Sequence, residues 1–359
     1  MIRLYGHEVG EGSFSQVTRG VRRALEAHSM LAGMVALDNF REDTIHEGAE
    51  APISINCGNP FGIAHARLMG LHEKRWLLLA PNSENLSQGF VRRMTQDHEH
   101  LGPLFTGLLA PSKWAMRVLQ RHFPDMPVVL APHGVTPGVH KVNEAVRSRV
   151  VRDFADRQFR ALHMSSTGSQ RKGTRELLRA WSDLKKSNLL PRAAVLCVVI
   201  EPQFCTEVEF WAENVGLAAT GRDLAIRPGF GMSQEEIAAL YSYSHVIVQP
   251  SRAEGFGLVP LEARACGVPI VATDCTGHAD HVHGPGAVVI PSGPPGAIDD
   301  FDNSTAPTVE WEAIASSLRA AYESWSQLDD EAGGEAAAFG ERWAWETVLD
   351  GPLHGLGAA

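Results

Sequence analysis

Short apolar runs alternate with amphipathic stretches along almost the whole chain. Residues 1–5, Leu31–Leu37, Ile53–Asn56, Trp76–Ala80, Phe105–Ala110 and Val128–Ala131 are compact and largely apolar. Near-continuous apolarity of this kind suits strands buried on both faces of a parallel sheet. Between them, Ser15–His28 carries Val17, Val21, Ala24 and Leu25 at helical spacing, with Arg19, Arg22 and Arg23 on the other side. Ser112 is placed to cap a helix running to Arg121.

A second series begins at Arg160–Met164. Further strands are predicted at Ala193–Ile200, Ala225–Arg227, His245–Gln249, Pro269–Thr273 and Ala287–Ile290. Helices are predicted at Gly173–Leu184, Val208–Val215, Ser233–Tyr241 and Leu258–Cys266, with Ser233 as a cap and Glu235 and Glu236 in the electropositive first turn. Pro291–Pro307 reads as a loop, and helices follow at Trp311–Ser324 and near the C-terminus. Two successive strand–helix series predict an α/β chain with two Rossmann-like, doubly wound parallel-sheet domains. The expected divisions are 1–140, a polar connection at 141–158, a second domain at 159–325 and a helical segment at 326–359. Such sheets bind ligands at the carboxyl ends of their strands, so an interdomain cleft is the expected site.

Composition narrows the class. The 359 residues are 44% hydrophobic and 21% charged, which excludes a mostly disordered chain. No apolar run approaches the ~18 residues of a membrane span, and the N-terminus does not read as a signal peptide. Five cysteines without a C-x-x-C pair argue against a disulfide framework or zinc site and for a cytoplasmic location. The net charge of −10 lies wholly beyond residue 135; before it, thirteen basic and thirteen acidic residues balance. An anionic partner would therefore meet the first domain, if it meets either.

The most informative stretch runs from Gln249 to Thr276. A strand ends at Gln249, a loop carries Glu254, Gly255, Phe256 and Gly257, and a helix opens at Leu258 with Pro260 in its first turn. Gly267 ends that helix and Pro269 prevents its continuation. Glycines beside a helix N-terminus let backbone N–H groups approach an anion. Glu254 and Glu262 do not suit phosphate; they suit hydroxyl groups. A ligand with both phosphate and hydroxyls, a nucleotide sugar, satisfies the whole pattern.

Glu254 and Glu262 form an E-x7-E pair, and their surroundings resemble the donor site of retaining glycosyltransferases of family 4, which have the GT-B fold. The similarity extends to Gly10-Glu11-Gly12-Ser13, to Pro111-Ser112, to Ala131-Pro132-His133-Gly134-Val135, to Gln170-Arg171-Lys172-Gly173-Thr174, and to the closing Phe339–Glu346. The resemblance implies a metal-independent hexosyltransferase with no cofactor beyond its substrate. Glu262 would bind the ribose hydroxyls, Glu254 the donor sugar, Lys172 the departing diphosphate, and the Gly255-Phe256-Gly257-Leu258 backbone the sugar and diphosphate. Gly12 would close over the diphosphate, and the C-terminal helix would cross back onto the first domain. The family's usual second phosphate-binding arginine is replaced by Thr167; Arg171 or the hydroxyl-rich turn around Thr167 would compensate. Family frequency favours a UDP-glucose-like donor, with a GDP-sugar as the alternative.

Weaker signals lie outside this stretch. Asn59, Asn82 and Glu84 follow predicted strands and are candidate acceptor contacts. Asp300-Phe301-Asp302 matches D-x-D but sits in an acidic loop, and His278, His281 and His283 lack a metal-ligand framework, so no metal is expected. Gly10-x-Gly12 lacks the third glycine of a dinucleotide fingerprint. The acceptor is a hydroxyl compound of open class: small molecule, glycan, lipid or modified nucleic acid. Basic positions Arg19, Arg22, Arg23, Arg92, Arg93, Lys113, Arg117 and Arg121 allow peripheral contact with an anionic membrane. The rival readings are a non-catalytic nucleotide-sugar-binding or partner subunit, and a GT-B epimerase or phosphorylase.

Overall fold

The computed structural model describes residues 1–7, 13–36, 51–57, 72–81, 86–95, 103–165, 170–219, 221–229, 231–298 and 305–356. The chain forms two compact units: Met1–Gly134 together with Arg342–Ala359, and Val135–Glu341.

The first unit opens with β1 (Ile2–Gly6), α1 (Ser13–Ala27), β2 (Leu31–Ala36), β3 (Ile53–Asn56) and β4 (Lys74–Leu78). It continues with α2 (Gln88–Thr95), β5 (Gly107–Ala110), α3 (Lys113–His122) and β6 (Val128–Leu130). The strands pair in parallel in the order β2-β1-β3-β4-β5-β6. Helix α3 starts where Ser112 accepts the Ala115 N–H at 3.0 Å, and it packs Trp114, Val118 and Leu119 toward the sheet core of Tyr5, Leu77 and Leu108.

The second unit holds the larger core. Its elements are α4 (Glu144–Ala155), β7 (Gln158–Ser165), α5 (Thr174–Lys186), β8 (Ala193–Ile200), α6 (Cys205–Asn214) and β9 (Leu224–Pro228). Then come α7 (Gln234–Tyr243), β10 (Val246–Gln249), α8 (Leu258–Ala265), β11 (Ile270–Thr273) and β12 (Ala287–Ile290). The strands are all parallel, in the order β12-β11-β10-β7-β8-β9. From β7 the chain winds outward through β8 and β9, then returns to β10 and winds the other way. The reversal lies between β7 and β10. In a doubly wound sheet, loops at the carboxyl ends of such a pair diverge and leave a crevice for ligand.

Helix α4 lies within the stretch read as a polar connection. Its buried Arg147 donates to the Ser242 and Ser244 carbonyls at 3.2 and 2.6 Å and pairs with Asp329, while Val150 enters the core. Pro291–Pro307, expected as loop alone, contains β13 (Pro295–Ala297) and β14 (Thr305–Pro307), a short antiparallel pair. Buried Arg252 donates to the Ala297 and Pro307 carbonyls at 3.0 and 2.9 Å. Three-residue strands of Pro, Gly, Ala and Thr carry no period of their own, so a distant guanidinium holds the pair instead of side-chain patterning.

Helices α9 (Trp311–Glu323) and α10 (Trp325–Arg342) complete the second unit; Trp325 is buried and donates to the His245 carbonyl at 2.8 Å. The final helix, α11 (Trp345–Gly355), belongs to the first unit and packs on α1. Gly20 makes that packing feasible, because a Cβ at this position would overlap the Trp345 indole.

Candidate functional site

Two loops frame the crevice at the reversal. The chain after β7 forms a 3-10 turn, Gln170–Lys172, that leads into α5; the chain after β10 forms the Glu254–Gly257 loop that leads into α8. Beneath them, the buried His163 ring ties the two elements together. Its Nδ1–H donates to the Val248 carbonyl at 2.9 Å, and its Nε2 accepts the Thr174 hydroxyl at 2.9 Å. Burial holds this imidazole neutral, with its pKa lowered to about 4.

The backbone of Glu254 is gripped from both sides by the 3-10 turn Thr276–Asp280. The Glu254 N–H donates to the Thr276 hydroxyl at 2.9 Å, and the Gly277 N–H donates to the Glu254 carbonyl at 2.8 Å. Thr276 accepts a left-handed backbone (φ 56°) to make this contact, a conformation that costs of order 1–2 kcal/mol for a residue with a side chain. Gly257, with φ 91°, is the cap residue of α8. A side chain there would be strained by its φ and would overlap the His278 ring. The loop therefore reaches α8 only with glycine at 257.

The side chains converge on one ion cluster. The Lys172 ammonium donates to Glu254 Oε1 at 2.6 Å, and Arg171 lies 3.3 Å from Glu254 Oε2. The Lys172 and Glu254 side chains retain only 14% and 12% of their exposure. Burial alone would raise the Glu254 carboxyl, but Lys172 and Arg171 outweigh it and hold the group well below the usual carboxylate range. Arg171 is also bound to its own surroundings, donating to the Ala253 carbonyl at 2.8 Å.

The histidines considered as metal ligands serve this loop. His281 Nε2–H donates to the Phe256 carbonyl at 2.9 Å, and its ring lies 4.8 Å from the Phe256 ring. Phe256 is thus turned inward, leaving its backbone as its contribution to the loop. Burial lowers His278 and His281 to about 4 and 3, so both rings are neutral. His283 is exposed, 3.8 Å from Asp274. Among the described residues, no group of three His, Cys, Asp or Glu is arranged to hold a metal ion.

Glu262 lies apart from the ion cluster. It is buried on α8, and Oε2 accepts the Tyr241 hydroxyl at 2.8 Å. His140 Nε2 lies 3.9 Å from Oε1. Burial raises the Glu262 carboxyl to about 7, against the opposing hydrogen bond from Tyr241. Of the residues expected from the sequence, Arg171, Lys172 and Glu254 are assembled, Gly255, Phe256 and Gly257 form the adjoining loop, Leu258 opens α8 and Glu262 lies further along that helix. Gly12, Asn59, Asn82, Glu84, Thr167 and the Asp300–Asp302 motif lie outside the described residues. The sequence did not single out His140, His163, Tyr241 or the loop-bracing role of His281. Lone polar residues in apolar strands and helices give no period by which to recognise them.

Comparison with known proteins adds the following. The family described as "Glycosyl transferases group 1" matches residues 153–300. A D-inositol 3-phosphate glycosyltransferase of Corynebacterium jeikeium is 29% identical over 210 residues, covering 52% of this chain and 48% of the relative. The serotype-specific mannosyltransferase WbdA of Escherichia coli is 33% identical over 106 residues, covering 30% of this chain and 12% of the relative. The chain thus spans less than half the length of these curated relatives. Among solved structures, Anabaena Alr3699/HepE in complex with UDP and glucose superposes with a TM-score of 0.71 at 16% identity, covering both chains fully. WaaG, a glycosyltransferase involved in lipopolysaccharide biosynthesis, gives 0.65 at 14% identity, again covering both chains fully. At these identities, the likeness establishes the fold: two α/β units of GT-B type.

Proposed function

We propose that this chain, which has the GT-B fold, is a glycosyltransferase that moves a hexosyl unit from a nucleoside diphosphate sugar to a hydroxyl acceptor, with retention of anomeric configuration. The observation that carries the reading is the Lys172–Glu254 pair at 2.6 Å, held at the point where the sheet reverses. A ligand that exchanges for this ion pair must offer a hydroxyl to the carboxylate and an anion to the ammonium, a few ångströms apart. A sugar joined to a diphosphate does both. The Gly257 cap at the N-terminus of α8 adds backbone N–H groups and a favourable dipole for the phosphates. The UDP and UDP-glucose in the complexes of Alr3699/HepE support a uridine donor.

In this reading the bond between the anomeric carbon and the diphosphate oxygen breaks, and a bond to the acceptor oxygen forms on the same face. The acceptor's proton passes to the departing phosphate oxygen, so no separate base is required. Lys172 offsets the charge that grows on the leaving group, an effect worth about 10²–10³ in rate where one such donor is removed. Arg171 holds Glu254 and the loop, leaving Lys172 as the leaving-group cation. The family match lies in the second unit, so the acceptor's class is set by the first unit and is not carried over from the relatives. Cytoplasmic placement and peripheral membrane contact belong to the same reading; no helix among the described residues is long and apolar enough to cross a membrane.

The test is donor turnover with UDP-glucose and GDP-mannose, alone and with hydroxyl acceptors. Glu254→Gln and Lys172→Ala should each lower nucleotide release at least 100-fold. Wild-type rates in both variants would overturn the assignment. Tight donor binding with no turnover in the unaltered protein would instead support a binding subunit.

A further inference from the structure

The environment of Glu262 contains an unpaired donor. The Thr136 N–H donates to His140 Nδ1 at 3.2 Å, which makes Nδ1 the acceptor and leaves the ring proton on Nε2. His140 is 3% exposed, and its Nε2 has no hydrogen-bond partner among the described residues. The facing acceptor, Glu262 Oε1, is 3.9 Å away, beyond hydrogen-bond reach. Glu262 Oε2 is already taken by Tyr241. A buried donor thus faces a carboxyl oxygen across a gap that neither closes, and leaving a buried donor unsatisfied is costly.

One hydroxyl resolves both. An oxygen placed about 2.8 Å from each atom accepts from His140 Nε2–H and donates to Glu262 Oε1, with an angle at the oxygen near 90°. A sugar diol is the ligand class that offers such a group beside a diphosphate. No positive charge is available here to hold an anion, because Glu262 is a carboxyl group and His140 is a neutral ring with its pKa lowered to about 4 by burial.

We propose that His140 and Tyr241 complete the nucleoside end of the donor site, Tyr241 fixing one carboxylate oxygen of Glu262 and His140 sharing a ribose hydroxyl with the other. The inference deepens the function proposed above and rests on it. The groups around Glu262 are Tyr241 on α7, His140 ahead of α4, and Cys266 at the end of α8; Arg147 on α4 acts on Cys266, and Glu235 on α7 acts on His140.

The experiment is calorimetric titration with UDP and GDP and with their 2′,3′-dideoxy counterparts. The proteins are the unaltered chain, His140→Phe and Tyr241→Phe. The unaltered chain should prefer the diol form about tenfold or more. Each variant should lose most of that preference while binding the dideoxy nucleotide as the unaltered chain does, a pattern that general loosening of the fold would not produce. Should His140→Phe fail to fold, Tyr241→Phe carries the test, since it keeps the ring. Nucleotide binding with the diol preference unchanged in the folded variants overturns this inference and leaves the proposed function standing. Failure of the folded, unaltered chain to bind either nucleotide overturns both.

Discussion

Two glutamates eight positions apart meet opposite fates. Glu254 is ionised by its two cations, whereas Glu262 is pushed toward neutrality by burial. Their linkage to pH has opposite sign. The lowered group stabilises the fold above the ordinary carboxylate range and loses that contribution as pH falls through it. The raised group contributes below its unfolded pKa of about 4.5 and loses that contribution as pH rises through about 7. Glu262→Gln should therefore flatten the decline in melting temperature between pH 5 and pH 8, by no more than about 3 kcal/mol of stability. An unchanged slope would show that Glu262 ionises freely in the fold. Nucleotide affinity should move the other way, rising from pH 6 to pH 8, because hydrogen bonds from a diol favour the ionised carboxylate; calorimetry at the two pH values checks it. The E-x7-E spacing was legible in the sequence, but the split in protonation was not. It depends on how deeply Glu262 is buried, against the opposing Tyr241 hydroxyl, and on the two cations that reach Glu254 from another loop, none of which leaves a trace in local spacing.

At the scale of elements, caps and glycines carried the clearest signals. Ser233 and Glu236 form a full capping box at α7, with the two bonds at 3.2 and 2.7 Å. Ser233→Ala should lower stability by about 1 kcal/mol, read as a shift in the denaturant midpoint with an unchanged slope. Because α7 carries Tyr241, a loss of nucleotide affinity in the same variant would mean that the cap also sets the position of that hydroxyl. Gly20→Leu should unseat Trp345 and destabilise the first unit by several times as much, since the added side chain has no space to enter. Most strands were legible as apolar runs between turn residues. The β13–β14 pair was not, because Arg252 rather than side-chain alternation holds it, and α4 was missed although Val146, Val150 and Phe154 recur at helical spacing, because the arginines and acids between them read as a polar connection.

At the scale of the molecule, two strand–helix series yield two parallel sheets, and the second has the reversal that a nucleotide-binding fold needs. That much follows from hydrophobic patterning and from the preference of consecutive elements to pack side by side. Patterning does not say that the chain returns at Arg342 to finish the first unit, a consequence of Trp345 finding its seat against Gly20. The central claim is that one phosphorylated sugar takes over the Lys172–Glu254 pair. The most direct measurement is a crystal structure of the chain with UDP-glucose. The account predicts the diphosphate within hydrogen-bond distance of Lys172 Nζ and the N-terminus of α8, with a glucose hydroxyl on Glu254 and the ribose diol toward Glu262. A nucleotide bound elsewhere, with Lys172 still closed on Glu254, would contradict it.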